Sequence, residues 1–249
     1  MKITDKNTII LEVTDSSNNY AKQLIAEKKA THGTVVLTYC QKAGKGHAGN
    51  HWESEAKKNL LMSIVLFPEF LPAEKQFYLS KIISLAIVDL LHEELTDETV
   101  SVKWPNDIYA GNWKMAGILI ENSVSGDFMH SSVVGVGLNL NQLKFSKEIP
   151  NPVSLKQFTG KHYSIGEMAD RLLEKLYNWY AHLEMQQLTA IDISYFSKLY
   201  RKNEWCWFRK NNREFEARIN GIGKYGQLIL EERSGRMSKY QFKEIEFII

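Results

Sequence analysis

The stretch QKAGKGHAGNHWESE, Gln41 to Glu55, decides between two folds. Its centre, Gly44-Lys45-Gly46-His47-Ala48-Gly49, satisfies the G-x-G-x-x-G fingerprint of dinucleotide-binding proteins and follows a β-branched run, Thr34-Val35-Val36-Leu37-Thr38. Glu69 stands about twenty residues further on, where that fingerprint wants an acid. The fingerprint also requires a helix directly after the glycines, with an apolar face packed on the sheet. NHWESEAKKN supplies only Trp52 and Ala56 for such a face, so the stretch reads as a loop and a doubly wound parallel sheet is not expected. A Walker A loop is excluded too, because Asn50-His51 follows Gly49 where Lys-Ser/Thr would stand. Three glycines with Lys45 among them point to a loop that brings backbone amides and a cation to an anion.

Other chemistries fit the loop less well. His47 and His51 stand at the spacing that binds zinc on a helix, but Gly49 between them and Gly44 and Gly46 before them argue against a helix. Cys40, at the end of a strand, reads as a small hydrophobe and not as a nucleophile. No G-x-S-x-G elbow marks a covalent-intermediate hydrolase.

Outward from the loop, the pattern predicts a first strand over 8–13, then a capped helix in DSSNNYAKQLIAEKK. NLLMSIVLF (Asn59 to Phe67) is a buried strand ended by Pro68, and 73–95 is a long helix, apolar nearly all round. SVKWPND enters as a strand and stops at Pro105; DIYAGNWKMAGILIEN is a hairpin turning at Ala110-Gly111-Asn112. SSVVGVGLNLN is another strand. Ser164 to Glu167 has the capping-box pattern and opens a helix striped with Ala169, Leu172, Leu173, Leu176 and Leu183. After Tyr200 the texture changes to short strands separated by Gly, Asn and Ser. The expected class is α+β: a mixed α+β domain over 1–200, then a small all-β domain over 201–249.

Composition narrows the function. The 249 residues carry a formal net charge of only +2, with basic and acidic residues interspersed, which disfavours a DNA-binding face. The most apolar helix candidate, Leu79 to Leu91, is broken by Lys81, Ser84 and Asp89 and is far shorter than the ~20 residues of a membrane span. Two cysteines and no secretory h-region at the N-terminus fit a reducing, cytoplasmic setting.

The chemistry gathers around Lys103-Trp104-Pro105-Asn106-Asp107 and Lys114. Two lysines on adjacent hairpin elements, with an Asn-Asp pair between them, suit a phosphate with a divalent ion nearby. Gly117 admits a close backbone, and Asn139 and Asn141 end a strand at the same side of the sheet. No protein nucleophile is evident. Activation of a carboxylate by ATP needs none, since the acid itself attacks the α-phosphate.

Taken in order, DSSNNYA, QKAGKGHAGNHWESE, KNLLMSIVL, VKWPNDIY, KMAGILIE and VVGVGLNLN strongly resemble the biotin protein ligases, from about Leu11 to Asn141. The resemblance implies a mixed-sheet catalytic domain followed by a small SH3-like barrel. It implies ATP and biotin as substrates, Mg²⁺, and transfer of biotin to a lysine of a biotin carboxyl carrier protein. Carried over by motif, Ser16, Ser17, Asn18 and Gln41 contact biotin, the Gly44–Gly49 loop closes over biotin and adenylate, and Gly117 lies at the biotin site. Lys114 serves the biotin carboxylate and α-phosphate and, with Lys103, carries catalysis. Lys45, His47, Asn50, Trp52, Lys103, Asn106, Lys114 and Asn139 fall at nucleotide positions, and Asp107 at a place for Mg²⁺. Ser, Asn and Gln offer a ureido ring donors and acceptors without a charge to desolvate.

Two departures stand out. The family loop often reads G-R-G-R-x-G-R; here Lys45, His47 and Asn50 replace its arginines, which predicts faster loss of the adenylate. Ser17 stands where threonine is common and keeps the hydroxyl. With the first strand near residue 8, an N-terminal DNA-binding domain is not expected. A lipoate or octanoate ligase is the nearest rival, disfavoured by the polar Ser-Ser-Asn cluster. A non-catalytic carrier-binding homologue is disfavoured by the two lysines. Pairing into a homodimer is left open.

Overall fold

The structure, a computed structural model, describes residues 7–46, 49–96 and 99–248. Among these residues seven strands form the main sheet: β1 (Thr8–Leu11), β2 (Val35–Thr38), β3 (Leu60–Leu66), β4 (Val100–Lys103), β5 (Asp107–Ala110), β6 (Trp113–Ser125) and β7 (Phe128–Leu138). Their spatial order is β1-β2-β3-β7-β6-β5-β4. β1 runs parallel to β2, and every other neighbouring pair is antiparallel. This is the mixed sheet that the sequence predicts.

Both faces of the sheet are covered, which is why β3 reads as LLMSIVL with every residue buried. Side chains alternate across a strand. Leu60, Met62, Ile64 and Leu66 therefore face a large core made with α2 (Phe77–His92) and α4 (Ile165–Glu184). Val65 faces the other way, into a small cluster with Ala21 and Leu24 of α1 (Ser17–Ala26). The same alternation sends Val134, Val136 and Leu138 of β7 to the large core and leaves Gly135 and Gly137 on the α1 face. The functional site is built on that second, stripped face.

Helix α2 is buried nearly all round, as its composition predicts, but spans less than 73–95: Ala73–Lys75 form a 3-10 turn before it. Its Lys81 stays buried by pairing with Asp192 of α5 (Leu188–Ser197) at 2.5 Å. The predicted hairpin turn is present, with Ala110 opposite Trp113 and Gly111 at φ +55. β6 then continues to Ser125 and returns through Gly126 as β7, which starts earlier than the predicted Ser131. Helix α5 and the short α3 (Leu155–Thr159) are not legible in the sequence; of α5 only Ile191 and Tyr195 are buried, too few to print a stripe. Ser164 caps α4 as its capping pattern predicts, accepting from the Glu167 amide.

The remaining strands, β8 (Cys206–Lys210), β9 (Arg213–Ile222), β10 (Leu228–Glu232), β11 (Met237–Tyr240) and β12 (Glu246–Phe247), form a separate antiparallel sheet in the order β11-β10-β9-β8-β12. It docks on the turn after β4. Trp104 Nε1 donates to the Gly226 carbonyl at 2.8 Å, and Phe242 packs on Trp104 at 5.3 Å between ring centres. Gly226, at φ +85, leaves no room for a Cβ, which would sit 2.5 Å from Phe77. Among the described residues, no helix is long and apolar enough to cross a membrane.

Candidate active site

The α1 face of the sheet ends in a cleft whose floor is Gly117, Gly135 and Gly137. Each lies where a side chain would fill the cleft: a Cβ on Gly135 would stand 2.3 Å from Asn18 Oδ1, and one on Gly137 2.4 Å from the Trp52 indole. Glycine here makes room for a ligand and for the groups that surround it.

At one end of the cleft the start of α1 meets the loop after β2. The Ser17 amide and hydroxyl both donate to Gln41 Oε1, at 2.8 and 3.1 Å. Both bonds use the Gln41 oxygen, so neither occupies its two N–H groups. Ser63 of β3 is fully buried behind them, its hydroxyl 2.7 Å from Ser17 Oγ and 2.6 Å from Asn18 Oδ1. Asn18 Nδ2 in turn donates to Glu121 Oε2 at 2.8 Å and to the Leu119 carbonyl at 3.3 Å. Toward the cleft this leaves neutral donors and acceptors, with Ser16, Ser17 and Asn18 all buried and the Glu121 carboxylate behind Asn18.

The described residues of the glycine loop border the cleft and pair back on themselves. Lys45 pairs with His51, the Gly46 amide donates to the Asn50 carbonyl at 2.7 Å, and the Trp52 amide to the Gly44 carbonyl at 2.9 Å. This geometry explains the glycines one by one. A Cβ on Gly44 would meet the Trp52 carbonyl at 2.5 Å, Gly46 lies against Asn50, and Gly49 adopts φ +89. The loop's own fold thus requires glycine at 44 and 49 and leaves Gly46 a tight fit against Asn50. Lys45 reaches back to Asn19 Oδ1 at 2.9 Å. His47, assigned to the biotin and nucleotide sites by motif, lies outside the described residues.

The far end of the cleft belongs to the β4–β5–β6 register. Lys103 stands opposite Asp107, Asp107 opposite Gly117, and Tyr109 opposite Lys114. Lys114 Nζ pairs with Asp107 at 2.7 Å and lies 5.7 Å from the centre of the Trp52 ring. Asn106 Nδ2 donates to the Ile118 carbonyl at 2.9 Å. Here the cleft opens into a wider groove of about 1060 Å³, lined by Lys103, Asn106, Asp107, Lys114, Asn50 and Trp52 and walled by Phe242, Lys243, Ile245, Glu246 and Phe247, from the connection before β12 and from β12 itself. Lys103 donates to the Tyr109 hydroxyl at 3.1 Å, between the rings of Tyr109 and Phe247. Burial holds its ammonium below the ordinary lysine value; Asp107 opposes that and Arg201 adds to it.

The residues named from sequence line the cleft or the groove except Gly44, Asn139 and Asn141, and His47 lies outside the described residues. Asn139, expected on the adenine side, is buried, lines neither the cleft nor the groove, and donates to the Val153 carbonyl at 3.1 Å. Asn141 exchanges hydrogen bonds with the Tyr163 backbone, both at 2.9 Å. Both asparagines fasten the end of β7 to the chain that follows, because a strand end buried under α3 has backbone groups to satisfy. Trp52, expected beside the nucleotide, lines both cavities and lies on the Gly117–Gly137 floor. Among the described residues, no three His, Cys, Asp or Glu side chains cluster as a metal site. Sequence reading missed Ser63, Glu121 and Tyr109; a serine inside the otherwise apolar LLMSIVL was the one available signal.

Comparison with known proteins gives the family. Residues 10–139 match the model of the biotin/lipoate A/B protein ligase family. The biotin–[acetyl-CoA-carboxylase] ligase of Paracoccus denitrificans is 30% identical over 91% of this chain and 95% of its own length. The bifunctional ligase/repressor BirA of Bacillus subtilis is 28% identical over 94% of this chain and 72% of its own. In fold, the chain resembles the Aquifex aeolicus biotin protein ligase solved with biotin and ATP, with a TM-score of 0.80, 24% identity and coverage of 98% and 99% of the two chains. A seven-stranded sheet with a glycine floor, a polar pocket at one end and two lysines at the other thus sits in a chain that belongs to the biotin/lipoate A/B protein ligase family, as a ligase of the biotin protein ligase type.

Proposed function

We propose that this chain activates biotin with ATP and transfers it to a lysine of a biotin carboxyl carrier protein. The observation that carries the reading is the polarity of one continuous cleft. Neutral Ser17, Asn18 and Gln41 stand at its closed end, and Lys114 stands where it opens into the lysine-lined groove. A ureido ring suits the first end, because it asks for donors and acceptors without a counter-charge. Its carboxylate tail would then reach Lys114, beside the groove that takes the nucleotide.

In the first step a carboxylate oxygen attacks the α-phosphorus and the bond to pyrophosphate breaks, giving biotinyl-5′-AMP. Lys114 stabilises the charge on the carboxylate and α-phosphate, and Lys103 faces the departing phosphates. The arriving anion favours the charged form of Lys103 against its burial. In the second step the carrier amine attacks the acyl carbon, the anhydride C–O bond breaks, and AMP leaves. Trp52 shields the mixed anhydride from water over the glycine floor. Lys45 and Asn50 border the nucleotide.

A magnesium ion arriving with the triphosphate would be held by Asp107 and would supply charge neutralisation on the phosphates. One carboxylate is enough for such an ion, which takes its other ligands from phosphates and water. We assign this chemistry to 1–200, with 201–249 supplying the groove wall of Phe242, Lys243, Ile245, Glu246 and Phe247.

Pyrophosphate release with Mg-ATP, measured with biotin and with lipoate in parallel and without a carrier, tests the reading. Biotin-dependent release is the expected result. Release with lipoate alone overturns the substrate, and no release with either overturns the enzyme.

A further inference from the structure

Glu121 lies on β6 beyond the residues that line the cleft floor, and no motif reading gives it a task. Two side chains of α1, one turn apart, converge on it: Asn18 Nδ2 at 2.8 Å on Oε2 and Lys22 Nζ at 2.6 Å on Oε1. Resting on the function proposed above, we infer that Glu121, held by Lys22, is a positioning residue that fixes the amide of Asn18 with its oxygen toward the biotin head.

The argument is one of donor and acceptor counts. An ionised carboxylate and a backbone carbonyl can only accept. Glu121 Oε2 and the Leu119 carbonyl therefore both demand the NH₂ side of the Asn18 amide, at 2.8 and 3.3 Å. The amide oxygen must then point the opposite way, toward Ser63 and over the Gly135 backbone of the cleft floor. With only one hydrogen bond drawn from Ser63, that oxygen keeps a lone pair for a ligand N–H. Ser63 alone could not set this orientation, because a hydroxyl donates or accepts with equal ease.

The acceptor-only state of Glu121 is itself maintained. Burial works to raise its pKa, but hydrogen bonds from Lys22 and Asn18, with the charges of Lys22 and Lys45, outweigh burial and hold it below the usual glutamate value. As an isolated ion pair, Lys22–Glu121 would be worth little, since Lys22 is 42% exposed. Its effect is on orientation, transmitted through Asn18.

Steady-state biotin-dependent pyrophosphate exchange by the full chain tests this. Glu121→Gln, which can donate as well as accept, raises the KM for biotin about tenfold, the worth of one misdirected hydrogen bond. It leaves kcat within about twofold and the KM for ATP unchanged, whereas a general loosening of the fold would move all three. Lys22→Met, at an exposed site that tolerates change, raises the same KM about threefold. In an Asn18→Ala background Glu121→Gln adds nothing, because its effect runs through that amide. An unchanged KM for biotin in both single variants, or an undiminished effect of Glu121→Gln in the Asn18→Ala background, overturns the positioning role. Absence of biotin-dependent exchange in the wild-type chain is a separate outcome and overturns the functional reading together with this one.

Discussion

Lys114 and Asp107 meet as a 2.7 Å ion pair across the β5–β6 hairpin, at the point where the narrow cleft opens into the wider groove. The two side chains are 26% and 20% exposed, so the lysine is held in place largely covered, with part of it open to an anion entering from either cavity. Asp107 thus aims the cation as well as balancing it.

Removing the lysine separates these effects. Lys114→Ala lowers biotin-dependent pyrophosphate exchange by about 10²–10³-fold, the usual cost of losing one charge stabiliser at a reacting centre. Thermal stability changes little, because a partly exposed ion pair contributes only about 0–1 kcal/mol. Exchange kinetics and a thermal melt read the two quantities. An unaltered exchange rate would take Lys114 out of the chemistry.

Lys103 predicts a pH dependence. Its ammonium is held below the ordinary lysine value of 10.5, chiefly by burial. Between the folded value and 10.5 the unfolded chain binds more protons at this residue than the folded chain. Its contribution to stability therefore rises with pH through that window. Phosphate binding has the opposite dependence, since it needs the charged form: the KM for ATP rises as pH climbs through the lowered pKa. Lys103→Arg, charged throughout that range, removes this alkaline limb. An identical limb in the arginine variant would assign it to another group.

Ser63 has one hydroxyl proton and two acceptors within reach, Ser17 Oγ and Asn18 Oδ1. Ser63→Ala leaves the buried Asn18 oxygen short of its donor, at a cost of about 1–3 kcal/mol in unfolding free energy. The KM for biotin rises several-fold while the KM for ATP stays put. Denaturant unfolding and two-substrate kinetics measure these. Equal changes in both KM values would mean that the residue supports the sheet and not the pocket.

The loop's missing arginines predict a kinetic trait. His47→Arg restores a permanent charge with a planar fork of donors. It slows release of biotinyl-5′-AMP by roughly tenfold, the worth of one charge-assisted hydrogen bond. Rapid dilution of preformed adenylate complex, followed by time-resolved release, gives the rate directly. Equal release rates would show that Lys45 and Asn50 already suffice.

Local chemistry made much of this protein legible. An all-apolar LLMSIVL has to be a strand covered on both faces, and AGN between two strand patterns has to turn. Lys103 and Lys114 could be placed near one another in advance because short antiparallel connections keep β4, β5 and β6 side by side. Helix α5 escaped notice because Tyr195 and Ile191 bury only one narrow seam of it.

By itself the sequence determined the strands, the loop and the lysines of the hairpin, since each follows from residues close together in the chain. The tertiary structure alone decided what stands behind them. Asn18 meets Glu121 across 103 residues of chain and Ser63 across 45, distances over which no periodicity carries information. It also turned Asn139 and Asn141 into ties for buried backbone and set Trp52 on the glycine floor. Such partnerships come from burial: a polar group removed from water must find its partner wherever the fold has brought one.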